Sequence, residues 1–166
     1  MAEITLGGNP INTCGDLPAV GSAAPAFELT KSDLSPLSSA DLAGQNVVLN
    51  IFPSVDTPTC ATSVRTFNEK AAGLENTMVI NVSADLPFAQ GRFCGAEGIE
   101  NAVTASTFRT TEFGQNFGTT LVDGKLAGVH ARAVVVIGPD GNVAHAEMVG
   151  EVANEPNYDA ALAALS

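Results

Sequence analysis

Two apolar runs, NVVLNIF over residues 46–52 and TMVINVSAD over residues 77–85, are continuous enough to be strands buried on both faces. The stretch between them, CATSVRTFNEKAAGL, carries Val64, Phe67, Ala71 and Leu74 at helical spacing. A strand, a turn, a helix and a second buried strand therefore follow one another, which commits the chain to a sheet with helices packed on it. Further along, PFAQGRFCGAEG reads as a short helix or loop, TASTF as a short strand and TEFGQNFG as a helical turn. ARAVVVI and NVAHAEMV flank GPDG and form a hairpin. The segment EPNYDAALAAL opens with a proline, offers Asn157 as a cap and places Tyr158, Ala161, Leu162 and Leu165 on one helical face. The expected fold class is α/β, with a mixed central sheet flanked by helices.

Before the first buried run, EITLGG and PINTCG are short alternating segments around GGNP and predict an N-terminal β-hairpin over residues 1–15, with Pro10 weakening the register of its pairing. AVGSAAPAFEL reads as loop. No repeat, low-complexity tract or charge block divides residues 1–166, so the expectation is one domain with the hairpin as an extension.

A chain of 166 residues can bury a core without disulfides or metals, so its cysteines call for a chemical reason. Cys14, Cys60 and Cys94 are odd in number, widely spaced and free of any C-x-x-C pair, which is neither a secreted disulfide framework nor a zinc pattern and points to a reducing compartment. MAEITLGGNPINTCG lacks a basic stretch followed by an apolar one, and no segment approaches eighteen apolar residues, so the expectation is a soluble, cytoplasmic protein. A net charge of -11 with seven lysines and arginines works against binding nucleic acid or anionic membranes.

The stretch FPSVDTPTC places Cys60 where a helix should begin, since Pro58 suits a first helical position. Free backbone N–H groups and the positive end of the helix dipole favour a thiolate there. Thr57 either caps the helix through its hydroxyl or turns that hydroxyl toward the sulfur. Position alone does not separate a reactive cysteine from a small buried hydrophobe.

PSVDTPTC matches the peroxiredoxin pattern P-x-x-x-T-x-x-C, with Pro53, Thr57 and Cys60 on its fixed positions. Together with CATSVRTFNE, SADLPFAQGRFCGAEG and ARAVVVIGPDGNV, it makes the chain resemble the bacterial thiol peroxidase subfamily, the atypical two-cysteine peroxiredoxins. The resemblance runs from PAVGSAAPAFEL almost to the C-terminus. It implies a thioredoxin-like fold with an N-terminal hairpin, and an enzyme that reduces hydrogen peroxide and organic hydroperoxides. In that enzyme Cys60 is peroxidatic, Cys94 is resolving within the same subunit, and the two form a redox disulfide. Arg132 falls on the active-site arginine and Pro53 walls the pocket. Thioredoxin is the implied reductant, the homodimer the implied assembly, and no metal or organic cofactor is implied. Cys14, His130 and His145 match no functional position of the family, and Arg65, Arg92 and Arg109 read as surface or structural groups.

Two rival classes compete with a peroxidase. A disulfide oxidoreductase needs a second cysteine beside the first, and Ala61 to Ser63 supply none. A redox sensor would use oxidation of Cys60 to reshape a surface, and peroxide turnover separates it from an enzyme. A Cys60–Cys94 bond needs Cα atoms within roughly 7 Å. The two cysteines lie in different elements, so local unwinding is expected, eased by Gly91, Gly95 and Gly98.

Overall fold

The computed structural model describes all 166 residues. Strands β1 (Glu3–Leu6) and β2 (Asn9–Asn12) form a separate hairpin. They are followed by β3 (Glu28–Lys31), β4 (Pro36–Ser38), β5 (Asn46–Ile51), α1 (Pro58–Ala71), β6 (Thr77–Ser83), α2 (Pro87–Glu97), β7 (Val103–Ser106), α3 (Glu112–Phe117), β8 (Ala133–Ile137), β9 (Val143–Met148) and α4 (Tyr158–Ala163). Strands β3 to β9 make a seven-stranded sheet in the order β4-β3-β7-β6-β5-β8-β9, parallel from β5 through β6 to β7 and antiparallel elsewhere. This is the expected mixed sheet.

The continuous apolar runs arise because the central strands are covered on both faces, and their two-residue period deals side chains alternately to two cores. Val47, Leu49, Ile51, Ile80, Val82, Val135 and Ile137 face one side, where Phe113 and Phe117 of α3 stack on each other with ring centroids 4.5 Å apart. Val48, Val79, Val134 and Val136 face the other, against Phe67 of α1 and Ala161 of α4. Phe67 meets Tyr158 edge-on at 5.0 Å, which fastens α4 beside α1. Asn157 caps α4 as expected, accepting from the Ala160 amide at 3.0 Å.

Two elements depart from the sequence reading. The end of the segment read as loop enters β3, which pairs with β4 as an edge hairpin. These strands of four and three residues are too short to show a period. PFAQGRFCGAEG, left between helix and loop, is an eleven-residue helix despite two internal glycines, ended by Gly98 in the left-handed region at φ 67°.

The N-terminal hairpin turns at Gly7 and Gly8, both at positive φ as a tight two-residue turn demands. Pro10 does not disturb it. It lies opposite Thr5, whose own N–H and C=O point away from β2, to Gly150 and Val152, so the missing proline N–H falls where the pair exchanges no hydrogen bond. Glu151 completes the dock by accepting from Thr5 Oγ1 and from the amides of Gly7 (2.8 Å) and Gly8 (3.1 Å). These contacts hold its carboxyl down to about 2. On the far side of this junction His130, 4 % exposed, lies between Thr107 Oγ1 at 2.9 Å and Thr119 Oγ1 at 3.0 Å, and burial lowers it to about 4.

Both shifts favour the form present at neutral pH, so both stabilise the fold there and fail in acid. Unfolded His130 takes up a proton below about 6.5 while the folded side chain resists until about 4. Its contribution, about 3 kcal/mol, is lost as pH falls across that window. Glu151 follows between about 4.5 and 2. Urea melts at successive pH values are expected to show two limbs, the upper flattened by His130→Gln and the lower by Glu151→Gln. Constant stability from pH 7 to 4.5 would contradict the first assignment.

Candidate active site

Helix α1 starts at Pro58, so Cys60 lies in its first turn, as the sequence anticipated. The Cys60 amide donates to no protein carbonyl, and the sulfur is 0 % exposed, packed among Phe52, Val55 and Val64 with Phe93 and Ile99 of the α2 region against them. Pro53, buried between β5 and this turn, adds bulk without a donor.

Arg132 comes from the residue just before β8, next to β5 in the sheet, and is 1 % exposed. Its Nη2 donates to Cys60 Sγ at 3.3 Å and its Nε to the Val152 carbonyl at 2.8 Å, while Nη1 is buried with no partner. The ion pairs of the protein use other cations, so this guanidinium has no carboxylate. A buried cation without a counter-charge is costly, so its remaining contacts, the Cys60 sulfur and the Val152 carbonyl, carry the weight of holding it.

Thr57 occupies the cap position, with extended backbone at φ −99° and ψ 145°, yet its hydroxyl neither caps the helix nor reaches the sulfur. Both its hydroxyl (3.0 Å) and its amide (3.2 Å) donate to the Ser54 carbonyl and close the turn ahead of α1. The two roles open to this hydroxyl in the sequence both give way to that turn.

Cys94 lies in α2, half-buried, with its sulfur 3.1 Å from Thr104 Oγ1 of β7. Burial pushes its thiol up, partly offset by the threonine. Cys14, Cys60 and Cys94 are all free thiols. The structure thus brings Cys60, Arg132, Pro53 and Thr57 to one corner, while Cys94 faces a different partner on the neighbouring helix. Arg65 pairs with Glu97 at 3.2 Å and Arg92 with Asp56 at 3.5 Å, so two of the arginines read as structural tie α2 to α1 and to its preceding turn. Arg109 stacks on Phe108 at 5.3 Å.

The sequence reading missed the polar supports beneath this corner. Asn50 of β5 and Asn81 of β6 are register partners inside the apolar runs. Asn50 Nδ2 donates to Asn81 Oδ1 at 3.0 Å and to Ser63 Oγ at 3.2 Å, and Ser63 donates to the Cys60 carbonyl at 2.8 Å. The clue was an asparagine at an inward position of each strand, where a polar group needs a partner. Asp85 was missed as well: its carboxylate accepts from Ser54 Oγ at 2.7 Å and from the Val55 amide at 2.9 Å.

Comparison with known proteins supplies the family. A family profile described as Redoxin matches residues 19–162. Thiol peroxidases of Mycobacterium bovis and Mycobacterium tuberculosis are each 65% identical over 165 residues, covering 99% of this chain and 99% of theirs. A crystal structure of a peroxiredoxin-like protein from Aquifex aeolicus superposes with a TM-score of 0.93 at 38% identity, over 98% of this chain and 95% of that one. A thiol peroxidase from Chromobacterium violaceum shares the fold with a TM-score of 0.88 at 19% identity, over 95% of this chain and 91% of that one. With a family profile over most of its residues and relatives of this closeness along nearly its whole length, the chain belongs to the redoxin family, among its thiol peroxidases.

Proposed function

We propose that this protein reduces hydrogen peroxide and organic hydroperoxides through Cys60, with Cys94 as resolving cysteine in the same subunit and thioredoxin as reductant. The observation that carries the reading is the buried Arg132 guanidinium, which meets the Cys60 sulfur, has no carboxylate and keeps Nη1 free. The free Nη1 and the unpaired Cys60 amide supply donors for a peroxide oxygen beside the sulfur.

The Cys60 thiolate attacks one peroxide oxygen. An S–O bond forms, the O–O bond breaks, and the departing oxygen takes a proton to leave as water or alcohol. Sulfur is oxidised to the sulfenic acid as the peroxide is reduced. The Cys94 thiolate then attacks that sulfur, and an S–S bond forms as water leaves. Dithiol exchange with thioredoxin returns both thiols. In its reduced station the Cys94 thiol is held protonated by burial, so it becomes a nucleophile as it leaves Thr104 for solvent.

Acidifying a thiol does not supply the rate of such a step. Lowering a thiol pKa from about 8.5 to roughly 6 raises the thiolate fraction at pH 7 about thirtyfold, and a Brønsted slope near 0.45 returns roughly tenfold. The remaining acceleration is assigned to in-line placement of the peroxide and stabilisation of the departing oxygen by Arg132. Pro53 keeps water from the sulfur, and Thr57 fixes the turn that aims it.

Exposed Leu86, Phe88 and Phe108 are the side chains a second copy would cover in the homodimer implied by the family. No helix is long and apolar enough to cross a membrane. The three free thiols suit a reducing compartment, and we place the enzyme in the cytoplasm.

The reading is tested by a pair of variants. Cys60→Ser is expected to abolish thioredoxin-dependent peroxide consumption. Cys94→Ser is expected to accept one oxygen on Cys60, visible by mass spectrometry after one equivalent of peroxide, and then to stall. A Cys14–Cys60 disulfide as the main wild-type product would reassign the resolving role.

Arg132→Lys should slow peroxide attack about 100-fold, the typical loss on removing a preorganised donor to a transition-state oxygen. The defect should persist at alkaline pH, because a point charge does not reproduce the forked contacts. Recovery of the wild-type rate on raising pH would reduce the arginine to an electrostatic aid.

Gly95 follows Cys94 inside α2, has helical backbone and has open space where a Cβ would project, so neither strain nor crowding calls for glycine there. Gly95→Ala is expected to stabilise α2 by about 0.5–1 kcal/mol and to slow disulfide closure several-fold, leaving peroxide attack unchanged. Rapid-quench mass spectrometry reads both steps, and closure at the wild-type rate would show that α2 does not unwind there.

A further inference from the structure

Asp85 lies between β6 and α2, half-buried, and its carboxylate accepts three hydrogen bonds: from Ser54 Oγ at 2.7 Å, from the Val55 amide at 2.9 Å and from Ser83 Oγ at 2.6 Å. Three donors converge on one side chain and are shared between its two oxygens. The first two come from the turn leading into α1 and Cys60. The third leads toward the helix of Cys94: Ser83 Oγ accepts from Gln90 Nε2 at 3.0 Å, and Gln90, fully buried on α2 one helical turn before Cys94, also donates to the Ala105 carbonyl at 3.1 Å. The Asp85 carbonyl is held in turn by Ser106 Oγ. Asp85 stands one residue before Leu86, the N-cap of α2, and its carboxylate engages the neighbouring segment and not the helix end, which has no side-chain cap.

We infer that Asp85 is a positioning residue for peroxide attack: one carboxylate joins the Ser54–Thr57 turn that aims Cys60 to the root of the Cys94 helix, and holds both cysteines at their reduced stations. Ser54 is the link to the sulfur's side, since its carbonyl receives the amide and hydroxyl of Thr57, the residue before α1. Loss of the carboxylate frees the turn, so the sulfur and its donors are no longer held in line. The same loss loosens the root of α2 and so does not hinder closure of the disulfide. Attack and closure should therefore respond in opposite senses.

The inference rests on the roles proposed for Cys60 and Cys94, and its test separates the two. Attack is measured in a Cys94→Ser background by trapping the sulfenic acid after mixing with hydrogen peroxide, and closure in protein with Cys94 intact by rapid quench and mass spectrometry. The ratio of attack rate to closure rate is expected to fall about tenfold in Asp85→Ala, equivalent to about 1.4 kcal/mol. It should fall less in Asp85→Asn, which keeps one acceptor oxygen. If Asp85→Ala does not fold, Asp85→Asn and Ser54→Ala carry the test, each expected to lower the ratio about threefold. Leu37→Ala, in the edge strand β4, serves as a control for general destabilisation and should leave the ratio unchanged. An unchanged or raised ratio in the Asp85 variants, or an equal fall in the control, overturns the inference. Absence of a Cys60–Cys94 disulfide in the parent protein would instead sink the proposed cysteine roles, and this inference with them.

Discussion

The contact between the Arg132 guanidinium and the Cys60 sulfur organises this molecule. A cation with 1 % exposure and no carboxylate must be offset by what surrounds it, and the surroundings are arranged to do so. The Val152 carbonyl takes Nε, the sulfur takes Nη2, and Nη1 is left without a protein partner. Each partner arrives on a different part of the fold: the sulfur on α1, the guanidinium ahead of β8, the carbonyl on the segment beyond β9. The adjacency of β5 and β8 in the sheet brings them together, since β5 leads into the turn before Cys60 and pairs with the strand that follows Arg132.

Beneath that contact the fold spends polar groups where it could have used apolar ones. The Asn81–Asn50–Ser63 chain runs under α1 to the Cys60 carbonyl, and the Asp85 carboxylate gathers the turn before the helix. Directional bonds fix orientation in a way that packing alone does not, which suits a site whose chemistry depends on alignment. Helix α2 is supported unevenly: Gln90 is pinned to two strands, whereas beyond it come Gly91, Gly95 and a sulfur held only by a threonine hydroxyl. Rigidity is concentrated around Cys60 and not around Cys94.

Much of this was legible from residues alone. The buried strands declared themselves by unbroken apolar runs, α1 by the spacing of Val64 and Phe67, and the corner by Pro53, Thr57 and Cys60 ahead of it. What escaped the sequence were features fixed by long-range pairing. Strands β3 and β4 are too short to carry a period, and α2 overrides its glycines by packing Gln90 and Cys94 on the sheet. The Thr57 hydroxyl had two plausible acceptors in local terms and chose a third, the Ser54 carbonyl, presented only once the turn is held from Asp85. Pro10 looked like a fault in the hairpin because the direction of the Thr5 backbone groups depends on Gly150 and Val152, far along the chain.

That last junction has a consequence for how the protein comes to life on a ribosome. The β1–β2 hairpin is made well before the groups it grips, Gly150 to Val152, and Val152 is also the carbonyl that steadies Arg132. Cys60 emerges 72 residues ahead of the arginine that donates to its sulfur. A nascent chain therefore presents Cys60 before its guanidinium partner exists, and the contact forms only when segments far apart in the sequence have met.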